Sequence, residues 1–266
     1  MQHLFRSWES FSSDIRAAGC ILLLADYDGT LTPIVGRPEE AILSSEVREK
    51  LRALTQKPAF SVGIISGRSL SEVKSLVAVE GIYYAGNHGL EIEGPGLEFI
   101  HPAAKAAQPE IQELFRQLSA RLANIEGVII EDKGLSLSVH YRLVIKSEEE
   151  IVARVFHQVT SSWLRDGKVR VTSGKKVLEV RPPIDWHKGK AIETIMKEVK
   201  VVRKCEEGLT IYLGDDRTDE DAFRIIHRPH GWSILVGPEN ATSNADYYLN
   251  STSEVMTFLS RLYDLK

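Results

Sequence analysis

With 266 residues, 43% of them hydrophobic and 26% charged, the chain has the composition of an ordinary globular protein able to bury one or two cores. A formal charge of −4 argues against a nucleic-acid binder that works through a positive stripe of Lys and Arg, and leaves room for a local basic pocket. The two cysteines, Cys20 beside an apolar strand and Cys205 near a charged turn, read as packing residues in a reducing cytoplasm rather than as a disulfide framework or a zinc site. The longest apolar stretch, Cys20 to Ala25, is far short of the about 20 residues of a membrane-spanning helix. No basic-then-apolar signal pattern opens the chain, so neither membrane insertion nor export is expected.

A first helix is predicted around Leu4–Ala18, docked on a core. Strand Ile21–Ala25, helix Glu46–Gln56, strand Phe60–Ile65, a helix from Leu70 and strand Ile82–Ala85 then alternate, which predicts a parallel sheet with crossover helices. Ser69-x-x-Glu72 reads as a capping box, each side chain satisfying a backbone N–H of the other. Ser66-Gly67-Arg68 therefore falls on a loop at the carboxyl end of a strand, where open α/β sheets bind ligands.

The rhythm then changes. Ile111, Leu114, Phe115, Leu118, Leu122 and Ile125 fall at helical spacing and precede strands Val128–Glu131 and Leu135–Arg142. Ser147-x-x-Glu150 opens a second helix, followed by strands Val169–Thr172 and Lys176–Val180. This is a helix-strand-strand unit written twice. Its second strand sets Leu135, Leu137, Val139 and Tyr141 against Ser136, Ser138, His140 and Arg142, so one face is apolar and the other charged. The helices cover the apolar face, and the polar face is left for solvent or a ligand. After Pro182-Pro183 the first rhythm returns, with a helix from Lys188, strand Leu209–Leu213, a short helix near Asp221–Ile226, strand Ser233–Val236 and a C-terminal helix. The fold expected is α/β: a Rossmann-like parallel-sheet core from residues 1–104 and 183–266, with an α+β domain, 105–182, inserted.

Asp26 and Asp28 stand where an apolar strand runs into a loop, and a two-residue step keeps both side chains on one side while the backbone stays extended. Carboxylates so close repel unless a cation or a shared proton neutralises them. An Asp-x-Asp alone is commonly a solvated turn, but an apolar strand leading into Asp-x-Asp-Gly-Thr is far more specific. A second acidic run, Gly214-Asp215-Asp216-Arg217-Thr218-Asp219-Glu220, again follows an apolar strand and belongs on the same sheet edge. Taken alone it reads equally as acids favouring a helix N-terminus. Neither run fits an EF-hand calcium loop: counted from Asp26 the glycine is at position 4, and counted from Asp215 positions 3 and 6 are Arg217 and Glu220. Ser66 can donate to a phosphoryl oxygen, and Lys188 opens a helix where anions are favoured.

In that order, Asp26-x-Asp28-Gly-Thr, Ser66-Gly-Arg, Lys188-Gly and Gly-Asp215-Asp-x-x-Asp resemble the four motifs of the haloacid dehalogenase (HAD) superfamily. Leu31-Thr32-Pro33-Ile34, Gly86-Asn87-His88-Gly89, Val177-Leu178-Glu179-Val180-Arg181-Pro182 and Trp186-His187-Lys188-Gly189 sharpen the resemblance to the trehalose-6-phosphate phosphatase family. It implies Mg2+-dependent hydrolysis of a disaccharide phosphate, with Asp26 as nucleophile and Asp28 as general acid and base. It further implies metal ligation by Asp26, Asp28 through its carbonyl, Asp215 and Asp216, and phosphate binding by Ser66 and Lys188. Thr30 and Asp219 would act in support. Gly67, Arg68, Asn87 and His88 would bind substrate, and Glu131, Lys133, His140, Arg142, Lys175 and Glu179 would meet the sugar from the inserted cap. Lys176 competes with Lys175, but alternation turns it to the helix-covered face or the edge.

Phosphatases for sucrose phosphate or mannosyl-3-phosphoglycerate share the scaffold, and a mutase shares the nucleophile. A silent sugar-phosphate-binding module is the alternative of another class, and the intact carboxylates speak against it. Functional pairing with a trehalose-6-phosphate synthase is expected; nucleic-acid and membrane partners are not. His227 and His230 lack further ligands and read as a surface loop, while Trp8, Trp163 and Trp232 read as packing.

Overall fold

The computed structural model describes residues 1–205, 208–226 and 229–266. The chain divides into two units, Met1–Phe99 with Trp186–Lys266, and Ile100–Asp185. The first opens with β1 (Gln2–His3), α1 (Trp8–Ala17), β2 (Cys20–Ala25), α2 (Ser45–Thr55), β3 (Phe60–Ile65), α3 (Leu70–Val77), β4 (Tyr83–Gly86), β5 (Glu91–Gly94) and β6 (Leu97–Ile100). The second contains α4 (Pro102–Ala106), α5 (Gln108–Leu122), β7 (Ile129–Asp132), β8 (Leu137–His140), α6 (Glu149–Arg165), β9 (Arg170–Gly174) and β10 (Val177–Arg181). The first then resumes with α7 (Lys188–Arg203), β11 (Gly208–Gly214), α8 (Glu220–Phe223), β12 (Gly231–Val236), β13 (Tyr247–Leu249) and α9 (Thr252–Leu265).

β2 and β3 are continuous apolar runs because both faces of their sheet are covered. Ile21, Leu23 and Ala25 of β2 face a core built with α1, α2, α3 and α9. Leu22 and Leu24 face the opposite core, with Ala191, Ile192 and Ile195 of α7 and Ala222 and Phe223 of α8. The strand order is β1-β13-β12-β11-β2-β3-β4-β5-β6, parallel from β1 to β4, with β5 antiparallel to β4. Chain progression runs outward in opposite directions from the β2–β11 pair. That reversal opens a crevice at the carboxyl ends of these two strands, and both acidic runs begin there.

In the second unit the sheet order is β7-β8-β10-β9, antiparallel throughout. Leu137, Val139, Leu178 and Val180 pack against Ile111, Leu114 and Leu118 of α5 and Val152 and Phe156 of α6. The unit begins at Ile100 and ends at Asp185, so the expected edges at 105 and 182 lie inside it; α4, adjoining α5, accounts for part of the difference. Ser147 does not cap α6, which starts at Glu149 after an uncapped Glu148, because residues 146–148 form a turn.

Sequence reading missed β1, β5, β6 and β13, which are two to four residues long and lack a recognisable pattern. It also missed a covalent link: Cys20 and Cys205 form a disulfide across 185 residues. Parallel pairing sets Gly208 of β11 opposite Cys20 of β2, which carries the end of α7 beside the start of β2. The cysteine argument for a reducing compartment therefore falls. Trp8 stacks on Phe11, Trp232 is buried in the first core and Trp163 packs on the core of the second unit. Among the described residues no helix is long and apolar enough to cross a membrane.

Candidate active site

β2 delivers Asp26 to the sheet edge, where its N–H donates to the Leu213 carbonyl of β11 (2.8 Å) and its side chain is buried. The chain bends at Tyr27, whose ring enters the core and whose hydroxyl donates to the Ala41 carbonyl (2.7 Å). A turn closes behind it, with Gly29 N–H donating to the Thr32 carbonyl (2.7 Å). Gly29 has φ +85°, and a Cβ there would stand 2.2 Å from Asp215 Oδ2, so the position needs glycine twice over. The extended backbone assumed for Asp26-x-Asp28 thus does not hold. Asp28 points its carboxylate to Arg68, whose Nε and Nη2 donate at 2.7 and 2.8 Å.

Carboxylate oxygens of Asp26, Asp215 and Asp219 lie within 4.8 Å of one another. Lys188, the first residue of α7 and only 2% exposed, places Nζ 2.9 Å from Asp26 Oδ1 and 2.7 Å from Asp219 Oδ1. Asp219 is held on both oxygens. Oδ1 also accepts from the Tyr212 hydroxyl (2.5 Å), and Oδ2 accepts the backbone N–H groups of Asp215 (2.9 Å) and Asp216 (3.1 Å). Asp216, expected as a metal ligand, stands outside the group of three; its Oδ1 accepts from the N–H and hydroxyl of Thr218 (2.8 and 2.7 Å).

Burial, with Asp219, Asp215 and Asp216 nearby, pushes the Asp26 carboxyl well above its ordinary range, and Lys188 only partly offsets this. Burial opposes the Lys188 charge too, yet Asp219 and Asp26 outweigh it and hold the ammonium above its usual value. Three converging carboxylates, Asp26 and Asp219 buried and Asp215 half-buried, outnumber the one ammonium among them. That hard-oxygen donor set fits magnesium.

On the neighbouring strand, Ser66 is buried and its Oγ accepts the Arg68 N–H (3.1 Å). The loop is stitched to the turn after β4 by Asn87 N–H to the Arg68 carbonyl (2.7 Å) and His88 N–H to the Ser66 carbonyl (2.8 Å). A Cβ on Gly67 would come 2.7 Å from the His88 ring, so glycine lets that ring lie against the loop. Asn87, expected at the substrate, is buried and donates its side-chain amide to Glu91 (2.6 Å). Arg68, also expected at the substrate, is 6% exposed and engaged within the protein, with Asp28, Glu72 and the Pro38 carbonyl. Ser69 Oγ accepts the Glu72 N–H (3.3 Å), one half of the predicted capping box. Thr30 Oγ1 is buried without a hydrogen-bond partner among the described residues.

In the second unit, Glu131, Ser138, Glu179 and Thr172 are register partners across all four strands. His140 Nε2 lies 2.9 Å from Glu131, Lys133 Nζ 3.4 Å from Glu179, and Arg181 and Thr172 donate to the other Glu179 oxygen. Arg142 donates to the Lys175 carbonyl (3.1 Å) at the turn joining β9 and β10. Lys176 reaches Glu149 of α6. Tyr212, Glu72, Thr172 and Arg181 were not among the site residues expected from sequence. Register with Glu179 could have found Thr172, and the i, i+4 spacing from Arg68 could have found Glu72. His227 lies outside the described residues.

A buried aspartate at the end of the central parallel strand, a lysine at a helix start and acids beyond the adjoining strand stand together on a HAD-like fold. The fold is shared with a haloacid dehalogenase-like hydrolase from Bacteroides thetaiotaomicron (TM-score 0.61, 17% identity, 91% of this chain and 99% of that one). Residues 24–253 match the Trehalose-phosphatase family. The chain is 38% identical over 256 residues to probable trehalose-phosphate phosphatase D of Arabidopsis thaliana, covering 92% of this chain and 68% of that one. It is 37% identical over 260 residues to trehalose 6-phosphate phosphatase RA3 of Zea mays, covering 92% and 70%. The C-terminal domain of C. albicans trehalose-6-phosphate phosphatase superposes with a TM-score of 0.78 at 25% identity, covering 100% of this chain and 98% of that one. The chain belongs to the trehalose-phosphatase family, and is a phosphoric monoester hydrolase.

Proposed function

We propose that this protein hydrolyses trehalose 6-phosphate to trehalose and inorganic phosphate, in trehalose biosynthesis, through a phosphorylated Asp26. The observation that carries the reading is the buried Asp26 carboxylate 2.9 Å from Lys188 and grouped with Asp215 and Asp219.

An Asp26 oxygen attacks phosphorus, the bond from phosphorus to the sugar oxygen breaks, and Asp28 gives that oxygen its proton. Water then attacks the phosphorus of the phosphoaspartate, Asp28 takes the water proton, and Asp26 is released. Lys188 and the Ser66 hydroxyl hold non-bridging phosphoryl oxygens, beside Gly67 and His88. Asp219 orients Lys188, and Tyr212 orients Asp219. Asp26, Asp215 and the Asp28 carbonyl are the groups that would hold magnesium, which when bound offsets charge between nucleophile and phosphate. The polar row of the second unit, with Glu131, Lys133, His140 and Glu179, and with Arg142 and Lys175 at its end, supplies donors and acceptors for a hydroxyl-rich sugar. A pairing with a trehalose-6-phosphate synthase completes the reading.

Phosphate release is to be measured over a panel of trehalose 6-phosphate, sucrose 6-phosphate, mannosyl-3-phosphoglycerate and hexose 6-phosphates, with magnesium and with EDTA. Trehalose 6-phosphate should turn over fastest, and only with magnesium. Faster turnover of another sugar phosphate would reassign the substrate.

A further inference from the structure

Arg68 uses both faces of its fork inside the protein. Nε and Nη2 grip both oxygens of Asp28, Nη2 also donates to the Pro38 carbonyl (2.8 Å), and Nη1 meets the carboxylate of Glu72 in the first turn of α3. Its own backbone is pinned as well, with N–H on Ser66 Oγ and the carbonyl on Asn87 N–H. Arg68 is nearly buried, whereas the Asp28 side chain keeps 40% of its surface open. A rigid, anchored fork on a partly open carboxylate fixes where that carboxylate sits. A fixed position is what a general base needs before it meets its water.

We propose that Arg68 is a positioning residue for Asp28, holding its carboxylate in place for the second half of the reaction. There the water oxygen bonds to phosphorus, the bond from phosphorus to Asp26 breaks and Asp28 takes the water proton. The proposal rests on Asp28 being that base. It separates Arg68 from Ser66 and Lys188: those two touch the phosphoryl group, and Arg68 acts through another side chain.

The test is pre-steady-state kinetics with p-nitrophenyl phosphate and magnesium, because this leaving group departs without needing a proton and the first half-reaction is seen apart from the second. Arg68→Ala should give a burst of p-nitrophenol stoichiometric with enzyme, then a steady state slowed roughly tenfold or more. Arg68→Lys, which keeps the charge but loses the fork, should recover part of the second rate, and thermal melts check that both variants are folded. Asp28→Asn should show the same burst with a slower second phase still, and the double variant should be no slower than Asp28→Asn alone. If Asp28→Asn gives no burst, the base assignment fails and the proposal with it. If Asp28→Asn bursts while Arg68→Ala and Arg68→Lys keep the wild-type second phase, or if Arg68→Ala acts only on KM, the base assignment stands and the positioning role is overturned.

Discussion

Gly29→Ala tests how the Asp26 turn shapes the carboxylate group proposed to hold magnesium. The added Cβ would lie 2.2 Å from Oδ2, 2.3 Å from Cγ and 2.7 Å from Oδ1 of Asp215, so the whole carboxylate must retreat by about an ångström to reach ordinary contact. At φ +85° an alanine also costs about 1–2 kcal/mol of backbone strain, which lowers the melting temperature by roughly 2–8 °C in a chain of this size. The fold should therefore survive with a displaced Asp215. Loss of a well-placed metal group costs about 10–100-fold in affinity, and the magnesium concentration giving half-maximal turnover of trehalose 6-phosphate should rise by that factor. The assay is a magnesium titration at saturating substrate, with melts recorded with and without the ion. A folded Gly29→Ala protein with wild-type magnesium dependence would show that Asp215 is not a ligand.

Reducing the Cys20–Cys205 disulfide, which closes a loop of 185 residues, should remove about 5 kcal/mol of stability and lower the melting temperature by roughly 10–20 °C. Cys20→Ser should melt like the reduced protein and ignore added reductant; two freely titrating thiols in unreduced wild type would refute the link. Because the folded Asp26 carboxyl lies above its unfolded value of 3.8, its stabilising contribution is complete below that pH and is lost as pH rises through the folded value. In magnesium-free buffer the melting temperature of wild type relative to Asp26→Asn should therefore fall as pH rises from about 4, and a flat difference would contradict the burial argument. Tyr212→Phe removes one of four donors to Asp219 and should cost about 1.5–3 kcal/mol in urea unfolding; a loss under about 0.5 would show the hydroxyl is dispensable.

The central sheet is legible in the sequence because β2 and β3 are unbroken apolar runs, and Phe60–Ile65 coincides with the predicted strand. Lys188 likewise sits at the first position of its helix, as its string predicts. What the sequence hides is direction. The bend at Tyr27 breaks the two-residue period, Asp28 meets Arg68, and nothing local marks that bend except the glycine two residues on. Asp216 and Asp219 look interchangeable as letters. Backbone N–H groups and the Tyr212 hydroxyl converge on Asp219, while a local turn to Thr218 occupies Asp216. The disulfide is invisible for another reason: its partners meet through strand pairing between segments 185 residues apart.

The claim that Asp26 is the nucleophile is tested most directly by finding the phosphoryl group. Enzyme mixed with trehalose 6-phosphate and magnesium, acid-quenched during turnover and mapped by peptide mass spectrometry, should carry phosphate on the peptide containing Asp26, accumulating in Asp28→Asn and absent from Asp26→Asn. Turnover of trehalose 6-phosphate by Asp26→Asn, or a phosphoryl group on a different residue, would contradict the account.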